Sequence, residues 1–473
     1  MNIQKLREQD VRKRCEEALA KAKEYQKELN AVVTFYDIEE QLQNLKHIKE
    51  DAPLYGIPVV LKDNVSTKGI RTTASSYMLD NYIPVYDAHI VEKLKQAGAI
   101  MIAKASMDEL GMGGTNLNAH TGKVRNPWDS DRISGGSSGG SAVLVASDVV
   151  ALAIGSDTGD SVRKPAAFNG VVGIKPTYGR ISRYGMIPYA ASLDHVGYFT
   201  SEVKDAALAL EVLAGRDDRD ATSSYEEVPA YSQNIDSDIK GKKIAVLDNV
   251  MDEIQDEQVK QNFYELMQKL EKRGAIIEHV TFDDKLMQML LPVYFIIANA
   301  EATSNHSNLD GIRFGLREEG NTLEEIMIHS RTKGFSSNVR KRFIIGSYAL
   351  YTENQDKIYK KAQQVRRLIV EELKRTLDMY DVVITCAAPG VAPTIKDCEN
   401  GKLSNQYQVA DNHMVLGNFS GYPSMTMPSG YINGLPIGVN MTAKPFDEQM
   451  LFNIGVAIEE ETGIKNCCAE VKA

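Results

Sequence analysis

No stretch of this chain reaches the ~18 consecutive apolar residues of a membrane-spanning helix. The longest apolar run, Ala142 to Ile154, is interrupted by Ser147 and Asp148. The first residues, Met1-Asn2-Ile3-Gln4-Lys5, lead into charge rather than an apolar signal core, so no secretory signal is read. Cysteine is scarce, with five residues at positions 15, 386, 398, 467 and 468 and no Cys-x-x-Cys pair. That speaks against a disulfide framework and against a zinc site, and no metal is expected. A reducing cytoplasm fits these thiols. Basic residues are outnumbered, 54 Lys+Arg against 64 Asp+Glu, for a net charge of −10. A protein that grips nucleic acid broadly must neutralise phosphates, so that class is disfavoured. The chain also lacks a G-x-x-x-x-G-K-[ST] loop, so nucleotide chemistry is expected on a partner.

What is present reads as a soluble globular chain, with 43% hydrophobic and 25% charged residues. Its 473 residues are enough to bury a sizeable core. Residues 4–30 alternate apolar positions with dense mixed charge and lack Gly and Pro, which predicts an amphipathic helix. Further on, short apolar runs alternate with helical patterns. Strands are expected at Ile57–Leu61, Ala99–Ala103, Ala151–Ile154, Lys243–Leu247, Ala275–Val280, Asp381–Thr385 and Ile437–Met441. Helices are expected at Ala88–Gly98, Asp252–Arg273 and Glu448–Glu461. This alternation predicts an α/β fold with helices around a mostly parallel or mixed sheet. The polar stretch Gly215 to Gly241 reads as a long surface connection.

Ser134-Gly135-Gly136-Ser137-Ser138-Gly139-Gly140-Ser141 has a linker's composition, yet it runs straight into the apolar segment Ala142 to Ala146. A second small-residue loop, Gly155 to Pro165, follows the strand at 151–154. Glycines let backbone N–H groups approach a ligand and gather into an anion-binding nest, so both loops are candidates for an active site or for structural turns. A serine nucleophile needs a base. His195 is tempting, but no spacing marks it as a triad member. Lysine can replace histidine if it is neutral, and its reference pKa near 10.4 leaves roughly one molecule in a few thousand neutral at pH 7. Burial at the end of an apolar strand would lower that pKa. Lys62 ends the run Gly56 to Leu61 and precedes Asp63-Asn64, the strand end where α/β proteins place ligand contacts.

These motifs together resemble the amidase signature family. The resemblance rests on Gly56-Ile57-Pro58 with Lys62-Asp63-Asn64, on Gly135 to Ser141, on Ser156 to Pro165, and on Gly173-Ile174-Lys175-Pro176-Thr177-Tyr178-Gly179. It covers about residues 5–465. Stretches around Tyr294, Arg342 and Asp411 resemble, within that family, the glutaminase subunits of tRNA-dependent amidotransferases. The resemblance implies one amidase domain over 1–473, a large mixed twisted sheet covered by helices on both faces. Its parts would be the N-terminal helix at 4–30, a signature core near 50–200 and a substrate-pocket part near 285–465. It also implies a Ser-Ser-Lys triad. Ser161 would attack the side-chain amide of glutamine, Ser137, on a cis peptide bond, would relay the proton, and Lys62 would be the base. Backbone N–H groups of Thr158, Gly159, Asp160 and Ser161 would form the oxyanion hole. Arg342 would hold the α-carboxylate of glutamine, Asp411 its α-ammonium, and Tyr294 would line the pocket. No cofactor is implied on this chain. ATP and Mg would sit on a partner, in a complex with B and C subunits, and misacylated tRNA would be held mainly there.

Three positions depart from the family's common pattern. Asp160 stands where a glycine usually precedes the nucleophile, Lys164 replaces a frequent Gln, and Asn169 a frequent Cys. A carboxylate beside an oxyanion hole repels the charge that develops there. We therefore expect Asp160 to pair with Lys164, four residues on, facing away from substrate. Three alternatives stay open. One is a stand-alone amidase for a small amide, and another is a catalytically weakened structural subunit. The third takes Gly135 to Gly139 as a G-x-S-x-G elbow with Ser137 as nucleophile and a histidine base.

Overall fold

The computed structural model describes residues 2–399 and 409–471; the segment 400–408 of the expected pocket region lies outside them. Eleven strands form one mixed sheet: β1 Val32–Phe35, β2 Pro58–Lys62, β3 Ile100–Ala105, β4 Leu152–Asp157, β5 Val172–Lys175, β6 His195–Thr200, β7 Lys243–Leu247, β8 Ile276–Val280, β9 Val382–Cys386, β10 Ser424–Ile432 and β11 Leu435–Ala443. Their order is β1-β3-β2-β4-β6-β5-β10-β11-β9-β7-β8. β2 runs parallel to β3 and β4, and β7 parallel to β8 and β9. The strands between these groups pair antiparallel.

β2, β3 and β4 are buried along their whole length. Helices cover both faces of such a parallel set, so its strands read as continuous apolar runs rather than alternating ones. The parallel pairing of β2 and β4 also brings their carboxyl ends to the same side, the edge where loops collect functional groups. Lys62 closes β2 there, and the loop after β4 carries Ser161.

The expected helix at 4–30 is two helices, Ile3–Arg7 and Val11–Leu29. Asp10 causes the break, because its side chain accepts from the Lys13 N–H at 2.9 Å and so begins a new helix as its cap. The helix placed from Asp252 begins at Glu257 for the same reason: Asp256 accepts from the Gln258 N–H at 2.9 Å. The stretch from Gly215 to Gly241 is irregular. It is pinned by buried Arg180, which donates to the carbonyls of Glu226 and Glu227. Among the described residues no helix is long and apolar enough to cross a membrane.

Candidate active site

Lys62 is fully buried. Its Nζ donates to Ser137 Oγ and Ser138 Oγ at 2.7 Å each, and to the Ser156 carbonyl at 3.2 Å. Burial pulls its pKa down to about 7, against the opposing pull of Asp108, Asp157 and Asp194. Near pH 7 about half of such a group is neutral, where an ordinary lysine is almost wholly charged. The buried amine beside two hydroxyls is therefore a usable base.

Ser137 lies just before the helix Gly139–Ala146, on the carboxyl side of a cis Gly136–Ser137 peptide bond. Gly136 is there because nothing larger fits: a Cβ would fall 1.9 Å from Asp108 Oδ2. The two serine loops are laced together. The Ser138 N–H donates to the Ser161 carbonyl at 3.1 Å, and Ser138 Oγ donates to the Ser156 carbonyl at 3.0 Å.

The loop from Thr158 to Ser161 is braced from behind. Arg163 and Asp157 form a fully buried ion pair at 2.9 Å, which holds the Asp157 carboxyl well below the usual carboxylate range despite its burial. The same guanidinium donates to the Gly159 carbonyl at 2.8 Å and to Asn418 Oδ1 at 2.6 Å. Thr158 Oγ1 donates to Asp194 at 2.7 Å. The Arg163 contact thus fixes the Gly159 carbonyl, and the Asp194 contact fixes the Thr158 side chain. Among the described residues, the N–H groups of Thr158, Gly159, Asp160 and Ser161 donate to no other group. Donors held in this way need no reorganisation when an oxyanion forms.

Asp160 and Lys164 pair at 3.2 Å, as expected. Asp160 lines a cavity of about 50 Å³ together with Tyr294 and Asn412, and Lys164 Nζ donates to the Asp411 carbonyl. Tyr294 and Arg342 come from two helices, Leu290–Asn305 and Ser337–Leu350. These helices approach closely at Gly346, where a Cβ would stand 2.1 Å from the Asn299 carbonyl oxygen. Arg342 donates to the Tyr189 hydroxyl at 2.8 Å and lies 5.2 Å over the Phe295 ring. Tyr189, Arg342 and Asp160 all act on the Tyr294 hydroxyl, which burial shifts upward. Lys62 thus touches Ser137, and the Ser137 loop is tied to Ser161 through the Ser138 N–H. Arg342 and Asp160 both bear on Tyr294, and Lys164 reaches the Asp411 backbone.

His195 is no partner for either serine. Its Nδ1 donates to the Leu193 carbonyl at 2.6 Å, its ring stands edge-on to Tyr178, and burial keeps it neutral. Ser137 pairs with a lysine, which argues against the histidine-dependent elbow. The sequence motifs missed Asp108, Asp194 and Tyr189, and held Asn418 only as part of the stretch after Asp411, with no role given to it. Of the three missed, only Asp194 carried a visible signal, its place beside His195.

The fold and this lysine-serine arrangement define an amidase, and the chain belongs to the amidase family, whose model matches residues 14–452. Among curated relatives it is 41% identical to the glutamyl-tRNA(Gln) amidotransferase A subunit of Streptococcus sanguinis, over 94% of this chain and 91% of that protein. It is 40% identical to the protein of that name from Persephonella marina, over 93% and 90%. The crystal structure of the glutamyl-tRNA(Gln) amidotransferase A subunit from Thermotoga maritima superposes with a TM-score of 0.83 at 34% identity, over 100% of this chain and 98% of that one. The native peptide amidase of Stenotrophomonas maltophilia gives 0.83 at 26% identity, over 98% and 96%.

Proposed function

We propose that this chain is the glutamine-hydrolysing subunit of a glutamyl-tRNA(Gln) amidotransferase. The observation that carries the reading is the buried Lys62 amine, 2.7 Å from Ser137 Oγ in loops laced to Ser161. Relatives that carry that name over nine-tenths of this chain support it.

In this reading neutral Lys62 accepts the Ser137 hydroxyl proton as Ser137 accepts that of Ser161. Ser161 Oγ bonds to the amide carbon of glutamine. The oxyanion is met by the N–H groups of residues 158–161. Collapse breaks the C–N bond, and the Lys62 proton returns through Ser137 to the leaving ammonia. Water then hydrolyses the ester to glutamate and frees Ser161. Arg342 takes the α-carboxylate in a bidentate grip, Asp411 faces the α-ammonium, and Tyr294 forms the wall. Ammonia passes to the B subunit of a heterotrimer with B and C subunits. That subunit would hold ATP and Mg, which would supply the activation of Glu-tRNA(Gln) or Asp-tRNA(Asn), in the cytoplasm.

The test is glutamine turnover by the chain with its partner subunits, with mass spectrometry of the trapped acyl-enzyme. The acyl group is expected on Ser161, and Ser161→Ala should abolish turnover. Glutamine hydrolysis unaffected by Arg342→Ala would instead support a stand-alone amidase.

A further inference from the structure

Arg342 carries its charge with no counter-charge in contact. Among the described residues no carboxylate forms an ion pair with its guanidinium, and Asp108 acts on it only through space. Its hydrogen-bond partner is neutral: Nη1 donates to the Tyr189 hydroxyl at 2.8 Å. That hydroxyl donates in turn to Asn299 Oδ1 at 3.3 Å, so its proton is committed and a lone pair is left for the arginine. The Phe295 ring, 5.2 Å from the guanidinium, gives a second support. Tyr189 is itself held on every side. It is 3% exposed, its N–H donates to Asp194 Oδ2 at 2.8 Å, and its carbonyl accepts from Asn305 Nδ2 at 3.0 Å. Asn299 and Asn305 both come from the helix Leu290–Asn305 that carries Tyr294. Asp194 Oδ1 accepts from Thr158 Oγ1 at 2.7 Å. One residue therefore ties the Arg342 side chain to the loop that leads to Ser161. A carboxylate in its place would also fix the arginine, but would cancel the charge that an incoming anion needs. A phenol fixes the guanidinium and leaves that charge intact.

We propose that Tyr189 is a positioning residue for amide hydrolysis. Its hydroxyl orients Arg342 for the substrate's carboxylate, and its backbone sets that grip against the Thr158 to Ser161 loop. This rests on the glutaminase reading above and goes beyond it, because nothing in the triad requires a hydroxyl at position 189. A guanidinium already held in place loses less freedom when the substrate binds. The effect belongs to amides that carry a carboxylate, and not to the chemistry at Ser161.

The experiment measures steady-state kinetics of the assembled complex on glutamine and on γ-aminobutyramide, which is glutamine without its carboxylate. The variants are Y189F, R342A and the double Y189F/R342A. Y189F keeps the ring and the backbone bonds to Asp194 and Asn305 and removes only the hydroxyl. KM for glutamine should rise about tenfold, the effect of losing a hydrogen bond to a charged group, while kcat stays within about twofold. On γ-aminobutyramide kcat/KM should stay within about twofold of the wild type. R342A should lose more on glutamine than Y189F does. Adding Y189F to R342A should cost nothing further, because the hydroxyl acts through the arginine. A merely structural role would impair both amides alike and would add to the R342A defect. Equal losses on the two amides, an additive double variant, or a Y189F that matches the wild type on glutamine overturns the inference. Should the wild type leave γ-aminobutyramide untouched, the cycle on glutamine decides by itself. An R342A variant unchanged on glutamine overturns the functional reading instead, and that result is read from the single variant alone.

Discussion

In the proposed reaction the base must be neutral, so Lys62 sets the sign of the pH dependence. Burial lowers its pKa to about 7, while Asp108, Asp157 and Asp194 pull the other way. Below that value the ammonium cannot accept the Ser137 proton, so kcat/KM should rise with pH through about 7 and level off above it. Asp108 supplies the control. It is buried, its own carboxyl is pushed up to about 6 by desolvation, and its Oδ2 accepts from the Asn116 N–H at 3.0 Å. Asp108→Asn removes the first of the carboxylates that favour charged Lys62. Its acid limb should therefore move to lower pH, as read from pH–rate profiles of the two proteins. A limb that moves to higher pH would refute this account of the base.

Elements carry the pocket by their closeness, and Gly346 is the point of contact. The helices bearing Tyr294 and Arg342 meet where Thr303 Oγ1 and the Asn299 carbonyl oxygen leave room for no side chain, at 2.2 and 2.1 Å from a would-be Cβ. Gly346→Leu should push the helices apart, destabilise the chain by about 1–3 kcal/mol and raise KM for glutamine more than it lowers kcat. Thermal denaturation and steady-state kinetics check both parts. This geometry is not legible in the sequence, whereas the serine loops are. Ser137, Ser161 and their glycines lie in two compact segments, so local composition betrays them. Tyr189 and Arg342 touch across 153 positions, and Asn418 and Asp157 across 261, and no local pattern records such pairs. The strands divide similarly. β2, β3 and β4 are near-continuous apolar runs and can be read directly. β10 escapes such a reading because Pro428 and Gly430 stand inside it, and its register with β11 slips between those two residues. β6 escapes it because the strand opens on polar His195.

On the scale of the whole molecule, the sheet joins the two halves of the chain through a single seam, β5 against β10. The candidate site straddles that seam. Arg163, from the first half, donates to the Met414 carbonyl and to Asn418 Oδ1, both at 2.6 Å, in the second. Those groups are buried, so separating the halves would leave the Met414 carbonyl and Asn418 Oδ1 without this donor, while the guanidinium kept Asp157 and the Gly159 carbonyl. Leaving a buried hydrogen-bonding group unsatisfied typically costs about 1–3 kcal/mol. We therefore expect the chain to unfold as one unit rather than as two domains. The only tryptophan tests this directly. Trp128 belongs to the first half, and its ring lies 5.3 Å from that of Tyr431 in the second. Its fluorescence should report the seam while far-UV circular dichroism reports the whole. In urea the two signals should change together. Arg163→Met should shift both midpoints down by the same amount, because the bonds it removes lie both within the first half and across the seam. A fluorescence transition that precedes the loss of helix signal would show instead that the seam opens first and that the halves fold separately.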